Sequence, residues 1–279
     1  MKILIIDRDT MFSSLLAAKI KAAGHDVFET AIKNDGIEQI NAQKIDAVYF
    51  DPTPLSDPKS IILQVRRMVP NFVYLVLMGA DVDRASVTKS SCHDGLSKPL
   101  DPQALAKTLD NAQRLGALVK KLADDKIDFP SAGGVISKSA FNQLFLSSMD
   151  RISRYGENSQ AIFISIANYD DIKIDSGKYA ADFAASKLAQ TLSKVRRQSD
   201  ILAQTGVNEY ALLILSPQQP HEAVEAARRF ASILQEDAGM ADGGVANLQL
   251  KVSLVSLPSG SEDFQNISHL KGPLAQSAV

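Results

Sequence analysis

Apolar and polar positions over the first 122 residues follow two alternating periods. Short continuous apolar runs occur at Ile3–Ile6, Ala47–Phe50 and Phe72–Met78, with weaker ones at Asp26–Glu29 and around Leu96. They are rich in Val and Ile and bounded by turn residues, the pattern of strands buried on both faces of a parallel sheet. Between them apolar residues recur at helical spacing. Phe12, Leu16 and Ile20 share one face, and Gly24 stands where that helix would stop. This rhythm predicts a doubly wound α/β domain over residues 1–122. Its last helix would start at Asp101-Pro102, an N-cap followed by proline. Leu105, Leu109, Ala112, Leu115, Val119 and Leu122 then fall on one face. That stripe predicts packing on the sheet, with a paired helix in a homodimer as the weaker reading.

Residues 123–134 lose the pattern and collect Asp124, Asp125, Asp128, Pro130 and Gly133-Gly134, which reads as a linker. From 135 to 279 the rhythm changes. A helix (Ser139–Ile152), a strand (Ala161–Ala167) and a long helix (Asp175–Val195) precede two strands, Ile201–Thr205 and Tyr210–Leu215. A tight turn at Gly206-Val207-Asn208-Glu209 joins those strands; a helix (Glu222–Gln235) and a strand (Leu248–Leu257) follow. This order predicts an α+β domain with a mainly antiparallel sheet. After Pro258 a polar, proline-containing tail follows.

Composition narrows the function. The net charge of −2 gives no general attraction to nucleic acid, and no basic patch of convincing size stands out. One cysteine, Cys92, excludes an intrachain disulfide, and His25, His93, His221 and His269 have no metal-ligand spacing. Cys92 reads as a small buried residue. No apolar run is long enough to span a bilayer and Ile3–Ile6 reads as a strand rather than a signal core, so a cytosolic protein is expected.

Ligands of a doubly wound sheet sit beyond the carboxyl ends of its strands. The residues there are Asp7, Arg8 and Asp9 after the first run, Asp51 after the third, Gly79-Ala80 after the fourth and Lys98-Pro99 after the fifth. Acids and a lysine converging on one edge could hold a metal ion and an acyl phosphate. At these residues the domain resembles the receiver domain of bacterial response regulators. The resemblance implies Asp51 as phospho-acceptor, Lys98 as partner of the phosphoryl group, magnesium nearby and a histidine kinase upstream. Three positions depart from it. Arg8 replaces the metal-binding second acid, Gly79 the hydroxyl residue on strand four, and Gly95 the aromatic residue on strand five. A guanidinium cannot ligate a cation. One expectation is that Arg8 pairs with Asp51 or Asp7 in place of the metal; the alternative has Arg8 in solvent while Asp9 or a shifted water shell supports magnesium.

The second domain resembles the GGDEF domain of diguanylate cyclases, with the signature turn reading Gly206-Val207-Asn208-Glu209-Tyr210. In the family two glycines admit nucleotide phosphates, and the third position is a metal-binding acid. Val207 adds a side chain, and Asn208 offers an amide where a divalent ion needs a carboxylate. The family's other acid follows the first strand, where this chain has Ser165-Ile166-Ala167. Lys173 and Ile174 occupy the guanine-holding positions, while Gly177 and Asp182 keep the expected spacing. Two-metal phosphoryl transfer without those acids is not expected. Arg197 and Asp200 form an Arg-x-x-Asp pair at the family's offset from Gly206, which implies a cyclic di-GMP site: an arginine fork suits the O6/N7 edge of guanine and a carboxylate suits its N1 and N2 donors. Against this, Lys194, Arg196 and Arg197 also suit a helix C-terminus, and Asp200 a turn cap.

Three functions follow in order. The first is a non-catalytic signalling protein that binds cyclic di-GMP, a protein partner, or both. The second is a response regulator phosphorylated at Asp51. The third, an active cyclase, conflicts with Ser165, Val207 and Asn208.

Overall fold

The computed structural model describes residues 1–55, 58–69, 71–215, 217, 222–236 and 248–262. The chain forms two compact units. The first comprises Met1–Lys121 with Met149–Glu157 and Leu257–Ser261, and the second comprises Leu122–Ser148 with Asn158–Ser256.

In the first unit β1 (Lys2–Ile6), β2 (Asp26–Thr30), β3 (Ala47–Phe50), β4 (Tyr74–Gly79) and β5 (Asp94–Ser97) form a five-stranded sheet in the order β2-β1-β3-β4-β5. Every pairing is parallel. This is the doubly wound arrangement that the apolar runs predict. Residues Ala47–Phe50 are all buried, as expected of a central strand covered on both faces; burying each large apolar side chain contributes about 1.5–3 kcal/mol. Leu4, Phe50, Ile62, Leu75 and Cys92 belong to one core cluster. Burial of Cys92 pushes its thiol up to about 11, consistent with a packing role.

The connecting helices are α1 (Thr10–Ala22), α2 (Lys33–Gln43), α3 (Lys59–Met68), α4 (Arg84–Ser90) and α5 (Pro102–Ala123). Helix α1 begins at Asp9, buries Leu16, Ala17 and Ile20, and carries Lys19 and Lys21 in its last turn, where the helix dipole favours them. Gly24, at φ +86°, then takes the left-handed conformation that releases the chain into β2. Asp101 accepts from the amides of Gln103 (3.0 Å) and Ala104 (3.3 Å) and so starts α5. The whole α5 stripe from Leu105 to Leu122 is buried, each member 5% exposed or less. The stripe is covered within the chain, as its apolar spacing predicts.

The other elements are α6 (Lys138–Tyr155), β6 (Ser159–Ile166), α7 (Tyr169–Asp175), α8 (Gly177–Val195), β7 (Ile201–Gly206), β8 (Glu209–Leu215), α9 (Glu222–Glu236), β9 (Leu250–Leu257) and β10 (Ser261–Glu262). The strands order as β10-β9-β6-β8-β7, with β8 antiparallel to both β6 and β7. Ahead of α6, a turn at Gly133-Gly134 bridges Ala132 to Val135, and Ile136 pairs with Ala203 of β7. The expected long helix over 175–195 is present as α8, beginning at Gly177, where φ is +88°; the short α7 ahead of it is an element the apolar spacing did not predict. The β6 strand begins at Ser159 and ends at Ile166, and β9 begins at Leu250. Most of the tail after Pro258, like His221 and His269, lies outside the described residues.

Candidate functional site

The parallel register brings the sequence's acids together. In the order β2-β1-β3-β4-β5 the strand direction of growth reverses between β1 and β3, and a crevice opens at such a switch point. Asp7 follows β1 and Asp51 follows β3 on either side of it. Both are buried, at 4% and 7% exposure. Lys98, at the end of β5, reaches across to both: its Nζ donates to Asp51 Oδ2 at 2.6 Å and to Asp7 Oδ2 at 2.8 Å. The same ammonium lies 4.6 Å from the centroid of the Phe12 ring, an additional attraction that the sequence reading missed. Thr53, also missed, donates its amide to Asp51 Oδ1 at 2.8 Å.

Burial pushes the Asp51 carboxyl up, but the Lys98 and Thr53 hydrogen bonds outweigh it and hold the group below the ordinary carboxylate range. Burial pulls Lys98 down, yet its bonds to Asp51 and Asp7 leave it above the ordinary lysine value. The three groups form one charge-compensated cluster.

Arg8 does not join it. The expected ion pair of Arg8 with Asp51 or Asp7 is replaced by Lys98, because the Arg8 side chain is on the exposed side of the β1–α1 turn while Asp7 faces inward. Asp9 is also committed elsewhere, its Oδ1 accepting from the amides of Met11 (3.1 Å) and Phe12 (3.0 Å) as the N-cap of α1. Magnesium support by Asp9 would require that cap to open. Asp7 and Asp51 are the carboxylates that remain, both bonded to Lys98. Among the described residues no group of three or more His, Cys, Asp or Glu is placed to hold a metal ion.

Gly79 and Gly95 have a shared explanation. A Cβ on Gly95 would lie 2.5 Å from Val82 Cγ1 and 2.8 Å from Val87 Cγ2, and one on Gly79 would lie 3.3 Å from Val82 Cγ2. Val82 has turned in over both glycines, held by a bond from its amide to Ser97 Oγ at 3.1 Å. Valine methyls fill the space that side chains at these two positions would enter.

In the second unit the signature turn is a hairpin closed by the pairing of Gly206 with Glu209. Val207 sits at its tip, 51% exposed. Asn208 is bonded twice to β6: its Nδ2 donates to the Ile166 carbonyl at 2.8 Å, and its own carbonyl accepts from the Ile166 amide at 3.1 Å. Glu209 accepts from Thr205 Oγ1 at 2.7 Å. Tyr210, buried, donates to the Ala185 carbonyl at 2.9 Å and ties the hairpin to α8. Ser165 stands opposite Glu209 in the β6–β8 register, and Ser165, Ala167 and Asn208 supply no carboxylate at the positions the family resemblance assigns to metal ligands.

Gly177 and Asp182 have structural work here. Gly177 supplies the break between α7 and α8, and Asp182 accepts from the buried Tyr169 hydroxyl at 2.7 Å. Burial and that carboxylate push the Tyr169 phenol up to about 12. Ile174 is 80% exposed and Lys173 is exposed. Asp170 and Asp171 put negative charge in the first turn of α7.

Arg197 and Asp200 are also brought together. Asp200 is 5% exposed; its Oδ2 accepts from the Arg197 amide at 3.0 Å, and its amide donates to the Arg197 carbonyl at 3.1 Å. This is the turn-cap arrangement. The Arg197 guanidinium is about half exposed and pairs with Glu222. Neighbouring Arg196 donates to the Asp200 carbonyl at 2.8 Å.

The parallel sheet with Asp7, Asp51 and Lys98 at its switch point has the doubly wound fold, and the α+β unit that follows it in the chain carries the GGDEF-type hairpin. The chain belongs to the GGDEF family: the family described as diguanylate cyclase, GGDEF domain, matches residues 131–270. The transcriptional regulatory protein GlrR of Escherichia coli K12 is 24% identical over 113 residues, 39% of this chain and 26% of that protein. The cyclic di-GMP phosphodiesterase NbdA of Pseudomonas aeruginosa is 22% identical over 172 residues, 62% of this chain and 21% of that protein. The chain thus spans about a quarter or less of the length of these curated relatives. Among solved structures, a two-component response regulator from Clostridium difficile is 22% identical with TM-score 0.36, covering 40% of this chain and 95% of its own. The GGDEF domain of PA1120 (YfiN or TpbB) from Pseudomonas aeruginosa is 20% identical with TM-score 0.40, covering 43% and 74%.

No described helix is long and apolar enough to cross a membrane.

Proposed function

We propose that this chain is a non-catalytic signalling protein whose GGDEF domain binds rather than synthesises. One observation supports this reading most: the Asn208 side chain donates to the Ile166 carbonyl at 2.8 Å. The position that would hold a cation in a working cyclase is a hydrogen-bond donor, and a donor repels a metal where a carboxylate would attract it. Ser165 and Ala167 offer no second acid. Incubation of the protein with GTP and magnesium or manganese should yield no cyclic di-GMP by chromatography. Formation of product in repeated turnovers would defeat the reading.

Cyclic di-GMP binding at Arg197 and Asp200 is the second reading. The half-exposed Arg197 guanidinium, carried on the same turn as Asp200, favours it. Binding would require Arg197 to leave Glu222 and Asp200 to turn outward from its cap. Calorimetric titration with the dinucleotide tests it, with Arg197→Ala as control: heat that the substitution abolishes supports a receptor, and no heat at tens of micromolar protein ends it. Phosphorylation of Asp51 by a histidine kinase is the third reading, supported by the juxtaposition of Asp51 with Lys98. It predicts added mass on exposure to acetyl phosphate and magnesium; an unchanged mass would end it.

A further inference from the structure

The first unit contains a cavity of about 270 Å³ between Pro52 and Pro58, the end of β4 and α4. We propose that it binds a small, largely apolar molecule carrying one anionic head group.

The cavity's place follows from the sheet register. Phe50 pairs with Leu77, so the next residues along, Asp51-Pro52 and Met78-Gly79, run side by side beyond the paired ends. Pro52, Leu77 and Met78 form one side, Pro58 and Val82 contribute further apolar surface, and Gly79 adds no side chain to fill the space. Val82 is fixed by its inward packing against Gly79 and Gly95, so this wall is preformed. Helix α4 supplies the remaining side. Its start is set by a capping box between Asp83 and Ser86, which anchors the helix at the cavity edge.

The polar groups decide the ligand class. Ser86 Oγ donates to the Asp83 carbonyl at 2.7 Å and Ser90 Oγ to the Val87 carbonyl at 2.8 Å, so both hydroxyl protons are committed to the backbone. Two charged residues line the mouth, Asp81 and Lys89, both exposed. Lys89 has a long stem that can carry its ammonium over the opening, whereas the short Asp81 side chain stays with its loop. An apolar floor with one mobile cation at the rim suits an aryl or branched-chain acid. The volume equals about nine waters at about 30 Å³ each, enough for a ligand of roughly a dozen non-hydrogen atoms. The site is distinct from the Lys98 cluster, whose charged atoms do not line it.

The probe is 2-naphthylacetate, with the neutral 2-naphthylacetamide as its matched control, titrated into the full chain and followed by the methyl NMR signals of Leu77, Met78 and Val82. Saturable shifts are expected with both. Lys89→Ala, a surface substitution, should weaken the acid about three- to fivefold, the order of one exposed charge pair, and leave the amide unchanged. Absence of saturable shifts at about 5 mM of either compound, a concentration covering millimolar affinity, would overturn the site. Equal effects of Lys89→Ala on acid and amide, or no effect on the acid, would overturn the anionic class.

Discussion

Replacing Lys98 with methionine keeps the side-chain stem and removes the charge, leaving Asp7 and Asp51, 4% and 7% exposed, on either side of an uncharged group. Breaking a buried ion pair by removing one partner costs about 3–5 kcal/mol, because the remaining charge stays desolvated. The Lys98 side chain is 19% exposed and water reaches part of the cluster, so the lower end applies, about 3 kcal/mol at pH 7. The pH dependence carries the stronger test. In the native protein Asp51 lies below the ordinary carboxylate value, so the cluster's contribution is present above that value and fades as pH falls through the depressed one. In Lys98→Met the Thr53 bond to Asp51 remains, but burial loses its main opponent and moves the Asp51 carboxyl upward. The folded variant then takes up a proton more readily than the unfolded chain, and its stability rises as pH falls from 7 toward 5. The deficit should therefore shrink with acidification, and adding Asp51→Asn should restore part of it at pH 7. Urea unfolding of the full chain, followed at the Met78 methyl NMR signal, measures both. A loss under about 1 kcal/mol at pH 7, the size of a surface pair, or a deficit of equal size at pH 5, would refute the argument.

Two further substitutions probe the contacts that replace the expected chemistry. Asn208→Asp turns a donor to the Ile166 carbonyl into an acceptor facing it at the 2.8 Å contact. It should cost about 1–3 kcal/mol in chemical denaturation and restore no cyclase activity, since Ser165 and Ala167 still lack carboxylates. Gly95→Ala places a methyl 2.5 Å from Val82 Cγ1 and should cost about 1–3 kcal/mol by overpacking. Combining it with Val82→Ala should recover part of that loss, a non-additivity that calorimetry would detect.

The first domain was legible because its signals are local. Ala47–Phe50 is a strand to the residue, and Gly24 ends α1 where its left-handed backbone is needed. The α5 stripe announced a buried face, and the α+β order behind it survived with shifted ends. The short α7 ahead of Gly177 was not read because its seven residues bury only Tyr169 and Ile172, too few to show a helical period. The identity of the counter-charge was beyond the sequence for a different reason. Arg8 adjoins Asp7 in the chain, but chain direction alternates inward and outward at a strand end, whereas Lys98 comes from two strands beyond β3 and has the reach. Asp200 offered both a ligand and a cap, and the turn shows it buried and capping. Val82 and the cavity beside it carried no signal, since a loop valine is unremarkable until the glycines it covers are placed opposite it.

The central claim is that the GGDEF hairpin has lost its affinity for divalent cations. Manganese titrated into the ¹⁵N-labelled chain with a non-hydrolysable GTP analogue tests it through paramagnetic broadening. The amides of Asn208, Ile166 and Ala167 should lose no more intensity than exposed amides elsewhere on the second unit. Selective disappearance of those three signals at low manganese, reversed by magnesium, would contradict the account.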